Sequence, residues 1–505
     1  MNKIKTINEL ASISHKLKRQ KNRIVCCHGV FDLLHIGHIR YFSQARRKGN
    51  ILIVTITPDK YVDKGPNRPA FTEALRAEAV ASLDCVDYVA INEWPTAEET
   101  LRALRPDVYV KGAEFRDIAT DRTGKIAGEK QVVEEIGAEM VFTDDIVFSS
   151  TNLINRYLSN RPAEVNKYLE LFCQRYTLDN VFEILDRMRE LKVLVIGDTI
   201  LDEYQFCEAI GKSSKDPTLV LKHESTDLFA GGALAVANHI ANFADSVALA
   251  SVIGERDSQE RFIRSQLNSD VFAKFFVQPG APTITKKRFL DGYSFNKLFE
   301  VYVMDDTGLP PEQDRNMRQW LERAIPEYDI IVAADFGHGA INRGAVELLT
   351  SKAKFLAVNT QANAGNRGFH TITRYDRSDY ASIARHELNL EVRNNAQSLQ
   401  GAMKGIAGKL ECRQFVVTLG RNGCAVYSEK GGFVKVPAFA GEIVDRVGAG
   451  DAFFAITGLA SCLGTQNEVL GFLGNVAGSI AVEVIGNKKS IDKGSVEKYI
   501  TSLMK

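Results

Sequence analysis

Two short stretches of this 505-residue chain carry residue types suited to handling phosphate. The first is His35-Ile36-Gly37-His38, which follows a strand-like run, Ile24-Val25-Cys26-Cys27, and a loop, His28-Gly29-Val30-Phe31-Asp32. It leads into a stretch of helical spacing from Ile39 to Lys48 that Gly49 ends. At a helix N-terminus, unpaired backbone N–H groups and the helix dipole favour an anion. Gly37 has no Cβ, so phosphates can approach the main chain, and the imidazoles of His35 and His38 can donate to charge that builds during transfer. The second stretch is Gly448-Ala449-Gly450-Asp451, where a strand would feed an apolar helix beginning Ala452-Phe453-Phe454. Its glycines let successive N–H groups converge on an anion, and Asp451 can accept a proton from an attacking hydroxyl. Two motifs of this kind imply two phosphate chemistries on one chain.

Composition narrows the setting. The length calls for two or three domains rather than one core. Hydrophobic content of 45% and charged content of 25% are those of a globular protein. The formal net charge is zero, so no global field recruits nucleic acid or an anionic membrane. The cysteines are scattered without metal-like spacing and read as reduced, space-filling thiols. No apolar run is long enough to span a bilayer, so the expected location is the cytoplasm.

The elements that must position the motifs alternate in type. Ile51–Thr57, Tyr88–Ile91, Val108–Lys111 and Met140–Thr143 read as strands. Thr72–Leu83 and Thr96–Leu104 carry helical spacing, with Thr72 and Thr96 as expected N-caps. A helix is also expected from about Ser150 to Leu158. This alternation predicts a parallel sheet with helices on both faces and ligands at the strand C-terminal ends. A polar helical connector covers residues 159–190. A second α/β pattern follows over 191–505, opening with Lys192-Val193-Leu194-Val195-Ile196-Gly197-Asp198, with later strands at Ile330–Ala333, Phe355–Val358 and Phe415–Leu419.

The run from His28 to His38 resembles the opening of the cytidylyltransferase-like superfamily. Lys64-Gly65, Arg68-Pro69, Arg76, Lys111-Gly112 and Ser149-Ser150-Thr151-Asn152 are similar to the adenylyltransferase half of the bifunctional heptose kinase/adenylyltransferase family. The resemblance implies a Rossmann-like transferase domain over residues 1–158. In it His35, His38 and Lys64 would be catalytic, and Gly29, Phe31, Gly37, Lys111, Ser150 and Thr151 would hold the nucleotide. Asp145-Ile146-Val147-Phe148 stands where many cytidylyltransferases carry Arg-Thr-x-Gly, which leans towards ATP and leaves CTP open.

The stretch from about Leu191 to Lys505 resembles a ribokinase-type (PfkB) carbohydrate kinase with a three-layer α/β/α fold, through Gly197-Asp198, Asp202, Gly231-Gly232, Asp335 with Gly339, and the Gly448–Asp451 motif. The resemblance implies that Asp451 is the general base and that Gly448, Ala449 and Gly450 hold the transferred phosphate. Thr418, Gly420, Gly423 and Asn475 would line the nucleotide site, while Asp198, Asp202, Gly231 and Gly232 would touch the sugar. Some positions depart from the family. Ala235 stands where an Asn usually grips the sugar, Asn359-Thr360-Gln361 replaces Asp-x-Lys, and only Glu387 survives of an Asn-x-x-Glu metal-placing pattern. Asn359 and Arg367, in a polar loop, become candidate acceptor residues. In the family's usual order the kinase comes first; here the transferase does. The expectation is a homodimeric enzyme of nucleotide-sugar biosynthesis that takes a sugar or sugar phosphate and ATP or CTP, with Mg2+ carried on the triphosphate.

Overall fold

A strand buried on both faces must be apolar throughout, and the strands of this protein mostly are. The computed structural model describes residues 3–62, 68–115, 125–143, 161–305, 307–393, 398–441 and 443–505. It divides into one unit of Met1–Arg161 with Glu497–Lys505 and a second of Pro162–Val496.

In the first unit, β1 (Ile24–Gly29), β2 (Ile51–Ile56), β3 (Tyr88–Ile91), β4 (Val108–Lys111) and β5 (Glu139–Phe142) form a sheet in the order β3-β2-β1-β4-β5. Every pairing in it is parallel, as the β-α alternation predicts. Ile24, Val25, Cys26 and Cys27 are buried at the centre of this sheet. The helix after β1 runs Ile36–Arg46, starting earlier than the apolar spacing indicates because His35 itself acts as N-cap. Thr72 takes the N-cap place of helix Glu73–Ala81 without a side-chain cap bond. Thr96 is not a cap: helix Glu98–Leu104 starts behind Ala97, and the Thr96 hydroxyl donates to Glu98 Oε1 instead.

The second unit opens with two helices, Ala163–Arg175 and Leu178–Arg187. Its sheet is organised by β6 (Lys192–Lys212), a 21-residue strand with two jobs. The inner part of β6, up to Asp198, lies between β8 (Ser246–Arg256) and β12 (Ile330–Asp335), parallel to both. Around it the core sheet extends through β9 (Val271–Pro282) on one side and β13 (Leu356–Thr360), β14 (Tyr380–Ala384) and β15 (Gln414–Thr418) on the other. Antiparallel β16 (Cys424–Ser428) and β17 (Gly432–Val436) close that edge. Beyond Asp198, β6 leaves the core and pairs with β7 (Leu219–Gly232) and β10 (Thr285–Asp291), and β11 (Lys297–Val303) joins β10. These outer strands form a lid-like sheet. It is largely absent from the sequence reading because much of β7 and β11 is exposed. Among the described residues, no helix is long and apolar enough to cross a membrane.

Glycines separate close packing from mere flexibility. A Cβ at Gly197 would lie 2.1 Å from the Ala334 carbonyl oxygen, whereas Gly405, exposed in helix Leu399–Lys409, has nothing within 4 Å. Gly197→Ala is therefore expected to destabilise the second unit by about 1–3 kcal/mol through overpacking. Gly405→Ala is expected to stabilise it by up to about 1 kcal/mol through helix propensity. Urea titration followed by circular dichroism reads both, and shifts of the same sign would contradict this packing argument.

Candidate active sites

In the first unit, the end of β1 delivers the chain to a built imidazole pair. His35 Nδ1 accepts a hydrogen bond from Gly37 N at 3.1 Å, which leaves the neutral ring its proton on Nε2. Burial holds the His35 pKa below its ordinary value, favouring that neutral form. The rings of His35 and His38 stack with centroids 3.9 Å apart. Phe31, at φ +48°, sets its edge against His38 at 5.3 Å. A Cβ at Gly29 would lie 2.9 Å from the Phe31 ring, so the glycine is what lets Phe31 fold back. Gly29 and Phe31 thus shape the pair, and Gly37 supplies the amide that orients it. Asp32, buried, accepts from Arg68 and from the amides of Ala70 and Phe71, which fixes the loop leading into β1's helix.

Lys111 sits differently from the expectation of a nucleotide contact. Its ammonium is buried and paired with Glu129 Oε2 at 2.7 Å. Glu129 escaped the sequence reading, although a signal existed: it interrupts the buried stripe of Ile126, Val132 and Val133 on its helix. Lys64, Ser150 and Thr151 lie outside the described residues, as does the helix expected over 150–158.

In the second unit, helix Ala449–Cys462 is buried almost all round and starts on Gly448, the left-handed N-cap at φ +83°. A Cβ at Gly448 would meet Asn487 Oδ1 at 2.1 Å and have to push that side chain aside, and the positive φ itself favours glycine. At Gly450 the same test finds open space. The first-turn amides of Ala449, Gly450 and Asp451 have no intrahelical partners to find and are free to converge on an anion. Asp451 stands in that first turn. Burial and the neighbouring charge of Asp202 raise its pKa to about 7, against a lowering pull from Lys286.

On the nucleotide side, Thr418 ends β15 and Gly420, at φ +59°, faces open space. Gly423 is a tight-turn residue, since a Cβ there would lie 2.0 Å from the Val436 carbonyl oxygen. The Asn475 amide donates to the carbonyls of Val436 and Pro437, at 3.0 and 2.9 Å, and so anchors its helix to the end of β17.

On the acceptor side, Asp202 is buried and ion-paired with Arg288, and it crowds Gly231, whose Cβ would lie 2.2 Å from Asp202 Oδ2. Gly232, at φ +58°, turns the chain into helix Ala233–Ala241. Asp198 uses both oxygens on main-chain amides, those of Phe336, His338 and Ala340 at 3.1, 3.3 and 2.9 Å. Burial first, then the charge of Asp335, push its pKa to about 6, with the amides opposing. Asp335 in turn is held by His370, Arg374 and Tyr375, which outweigh burial and keep its pKa low. The polar loop is self-supporting: Asn359 donates to the Ser382 carbonyl, and Asn363 and Asn366 both donate to that of Phe336. Arg367 is exposed at φ +50°. Ala235 and Asn238 are buried, and Asn238 bonds the Gln266 carbonyl.

Three residues among the acceptor-side acids were missed. Lys286 and Arg288 occupy alternate buried positions of β10, a period-2 pair of cations that could have flagged them. Lys286 interacts with Asp202, Arg288, Asp198 and Glu300, and its net pKa is lowered by burial. His338 is 3% exposed, and neither ring nitrogen has a hydrogen-bond partner among the described residues. Burial, with Lys286 beside it, takes its pKa down to about 4.

For a metal, the described residues offer no cluster of three or more His, Cys, Asp or Glu. Glu387 accepts from Ala362 N at 2.9 Å and Ala384 N at 2.6 Å, one through each oxygen. A divalent ion here fits only as a hard cation held mainly by nucleotide phosphates and water, with Glu387 steadying the loop behind it.

Comparison with known proteins agrees with this division. The sequence matches the pfkB family carbohydrate kinase over residues 190–493 and the cytidylyltransferase-like family over residues 26–156. The N-terminal domain is 38% identical over 159 residues to the bifunctional protein HldE of Geotalea uraniireducens, covering 30% of this chain and 31% of that one. For the bifunctional protein HldE of Syntrophotalea carbinolica the identity is 35% over 159 residues, 31% of each chain. The chain thus matches about a third of the length of these curated relatives. The solved phosphofructokinase-2 of Escherichia coli in complex with potassium aligns at TM-score 0.52 and 17% identity, over 63% of this chain and all of that one. The same enzyme in complex with fructose-6-phosphate aligns at 0.51 and 16%, over 63% of this chain. That likeness establishes the fold of the second unit.

The raised pKa of Asp451 has a cost in stability. An unfolded aspartate titrates near about 3.9, while the folded group titrates at about 7. Between those values the folded state keeps a proton that the unfolded chain releases, so stability falls as pH rises and stays reduced above. Asp451→Asn is expected to raise the Tm at pH 8, with the gain shrinking towards pH 4. Calorimetry at both pH values decides it, and a lower Tm for the variant at pH 8 would sink the argument.

Proposed function

The chain belongs to the pfkB family of carbohydrate kinases and carries a cytidylyltransferase-like domain ahead of it, and from that premise we propose two consecutive transfers on one sugar. The second unit phosphorylates a sugar or sugar phosphate from ATP, at the anomeric hydroxyl. The first unit then joins the sugar 1-phosphate to a nucleotide, ATP by preference, and releases pyrophosphate. A heptose phosphate is the acceptor suggested by the HldE relatives, which would place the protein in ADP-heptose supply for lipopolysaccharide or capsule. One observation carries the reading: two helices, each opened by a glycine-bearing turn with a chemically competent side chain beside it, on a single chain.

In the kinase step, the Asp451 carboxylate takes the proton of the acceptor hydroxyl as its oxygen bonds the γ-phosphorus. The amides of residues 449–451 receive the transferred phosphoryl charge, and the β–γ bridging oxygen leaves with ADP. Open space at Gly450 lets that phosphate come close. Asp202, fixed by Arg288, and the Asp198-bound loop line the acceptor side. In the nucleotidyl step, the sugar phosphate oxygen attacks the α-phosphorus, and His35 and His38 donate to the oxygens that gain charge. Lys64, Ser150 and Thr151 complete that cradle on the strength of the resemblance. Mg2+ bound to the triphosphate would neutralise phosphate charge at either site. The exposed apolar side chains Leu298, Phe299, Val301 and Val303 on β11 suit burial by a second copy in a homodimer.

A cross of two variants tests the assignment. Asp451→Asn is expected to abolish ADP formation, a loss of at least about 100-fold, while sparing pyrophosphate release from supplied sugar 1-phosphate. His38→Ala should do the reverse. Equal loss of both activities in either variant counts against two independent centres, and running ATP beside CTP decides the base. Wild-type kinase kcat/KM should climb with pH through about 7 as Asp451 ionises. A profile flat from pH 6 to 8 would remove Asp451 as the base.

A further inference from the structure

Asp445 lies three residues ahead of the Gly448 turn and is only 9% exposed. Its carboxylate gathers four donors from four parts of the second unit. Lys297 Nζ, on the lid strand β11, is 2.8 Å from Oδ1. Val447 N, on the loop entering the anion-binding turn, donates to the same oxygen at 3.2 Å. Tyr204, on the outer half of β6, donates through its hydroxyl to Oδ2, and Gly486 N donates to Oδ2 at 3.0 Å. The next residue after Gly486 is Asn487, whose Oδ1 abuts Gly448. Burial alone would raise the Asp445 pKa, but Lys297 and Tyr204 outweigh it, so the carboxylate stays ionised at neutral pH. Both segments that shape the Gly448 turn are therefore tied to one buried anion, and the cation that balances it comes from the edge strand of the lid.

We infer that Lys297 is a positioning residue for phosphoryl transfer: through Asp445, its ammonium makes the order of the 447–450 amides depend on where the lid sits. With the lid displaced, the ammonium withdraws and Asp445 keeps a buried negative charge beside the amides that must hold phosphate. That unbalanced charge repels the incoming phosphoryl group and loosens Val447. With the lid down, the ion pair neutralises Asp445 and the turn is set. Transfer is thus favoured when the lid covers the acceptor, and water meets a less ordered turn when it does not. The inference rests on reading residues 448–451 as the phosphoryl-binding turn.

The test uses the full chain with Lys297→Ala and Lys297→Arg, read first by hydrogen exchange and then by slow ATP hydrolysis without acceptor. In Lys297→Ala, the Val447 and Gly486 amides, both bonded to Asp445, should exchange on the order of tenfold faster, because one partner of a buried ion pair is gone. Amides of β12 should keep their wild-type protection, Lys297→Arg should resemble wild type, and added methylammonium should restore part of the protection to Lys297→Ala. ATP hydrolysis by Lys297→Ala should show a comparable drop in kcat at unchanged KM for ATP. Unaltered exchange at Val447 and Gly486, faster exchange throughout β12, or altered exchange with unchanged kcat would each overturn the inference. Exchange that changes as expected in Lys297→Ala, beside a wild-type protein that never hydrolyses or transfers from ATP, would refute the kinase reading and leave the Lys297–Asp445 linkage intact.

Discussion

A helix that begins on a main-chain turn leaves its first amides without partners, and this shortage of acceptors governs both halves of the molecule. In the first unit one of those amides is met by His35 itself, whose Nδ1 bonds Gly37 N and so commits Nε2 to donate. In the second, Gly448 holds a left-handed conformation at φ +83° that favours glycine, with the Asn487 side chain packed against it, and a Cβ at Gly450 would meet open space. The two solutions differ in chemistry. An imidazole pair supplies movable donors and suits charge that shifts across a triphosphate; a carboxylate beside bare amides suits proton removal with phosphoryl capture.

Around the second turn the protein concentrates carboxylates and must then keep them apart in behaviour. Asp335 and Asp445 are surrounded by cations and hydroxyls and stay ionised. Asp198 and Asp451 make no ion pair among the described residues, lie near other acids, and titrate at about 6 and about 7. The division follows from partners, since all four are substantially buried. It sorts them into two acids held ionised by their partners and two whose proton affinity lies nearer neutrality.

The core was legible in the sequence because burial on both faces selects β-branched runs such as Val193–Ile196 and Ile330–Ala333, and these became β6 and β12. The lid was not. Its strands have one open face, and β7 carries the polar run Lys222–Asp227, which gives no apolar strand signal. Asp451 was legible because its chemistry is local, within one four-residue motif. Lys286, His338 and the Lys297–Asp445 pair were not, because each acquires meaning only from residues brought close by the sheet. Lys111 gains a partner of the same kind, since Glu129 reaches it from a helix. Asn475 is similar, with its amide directed to backbone carbonyls.

The long strand β6 is shared between core and lid, and its register runs unbroken to Phe206 from Thr199 against β7 and from Leu201 against β10. Side chains along it alternate between faces, so losing or gaining one residue in that span would turn Asp202 and Tyr204 outward together. Evolutionary length changes there can come only in pairs, while odd insertions are confined to the bulged outer end. The distance from the sheet to the acceptor is consequently quantised, and adapting the fold to a longer or shorter sugar must proceed through side-chain size or the lid's far tip.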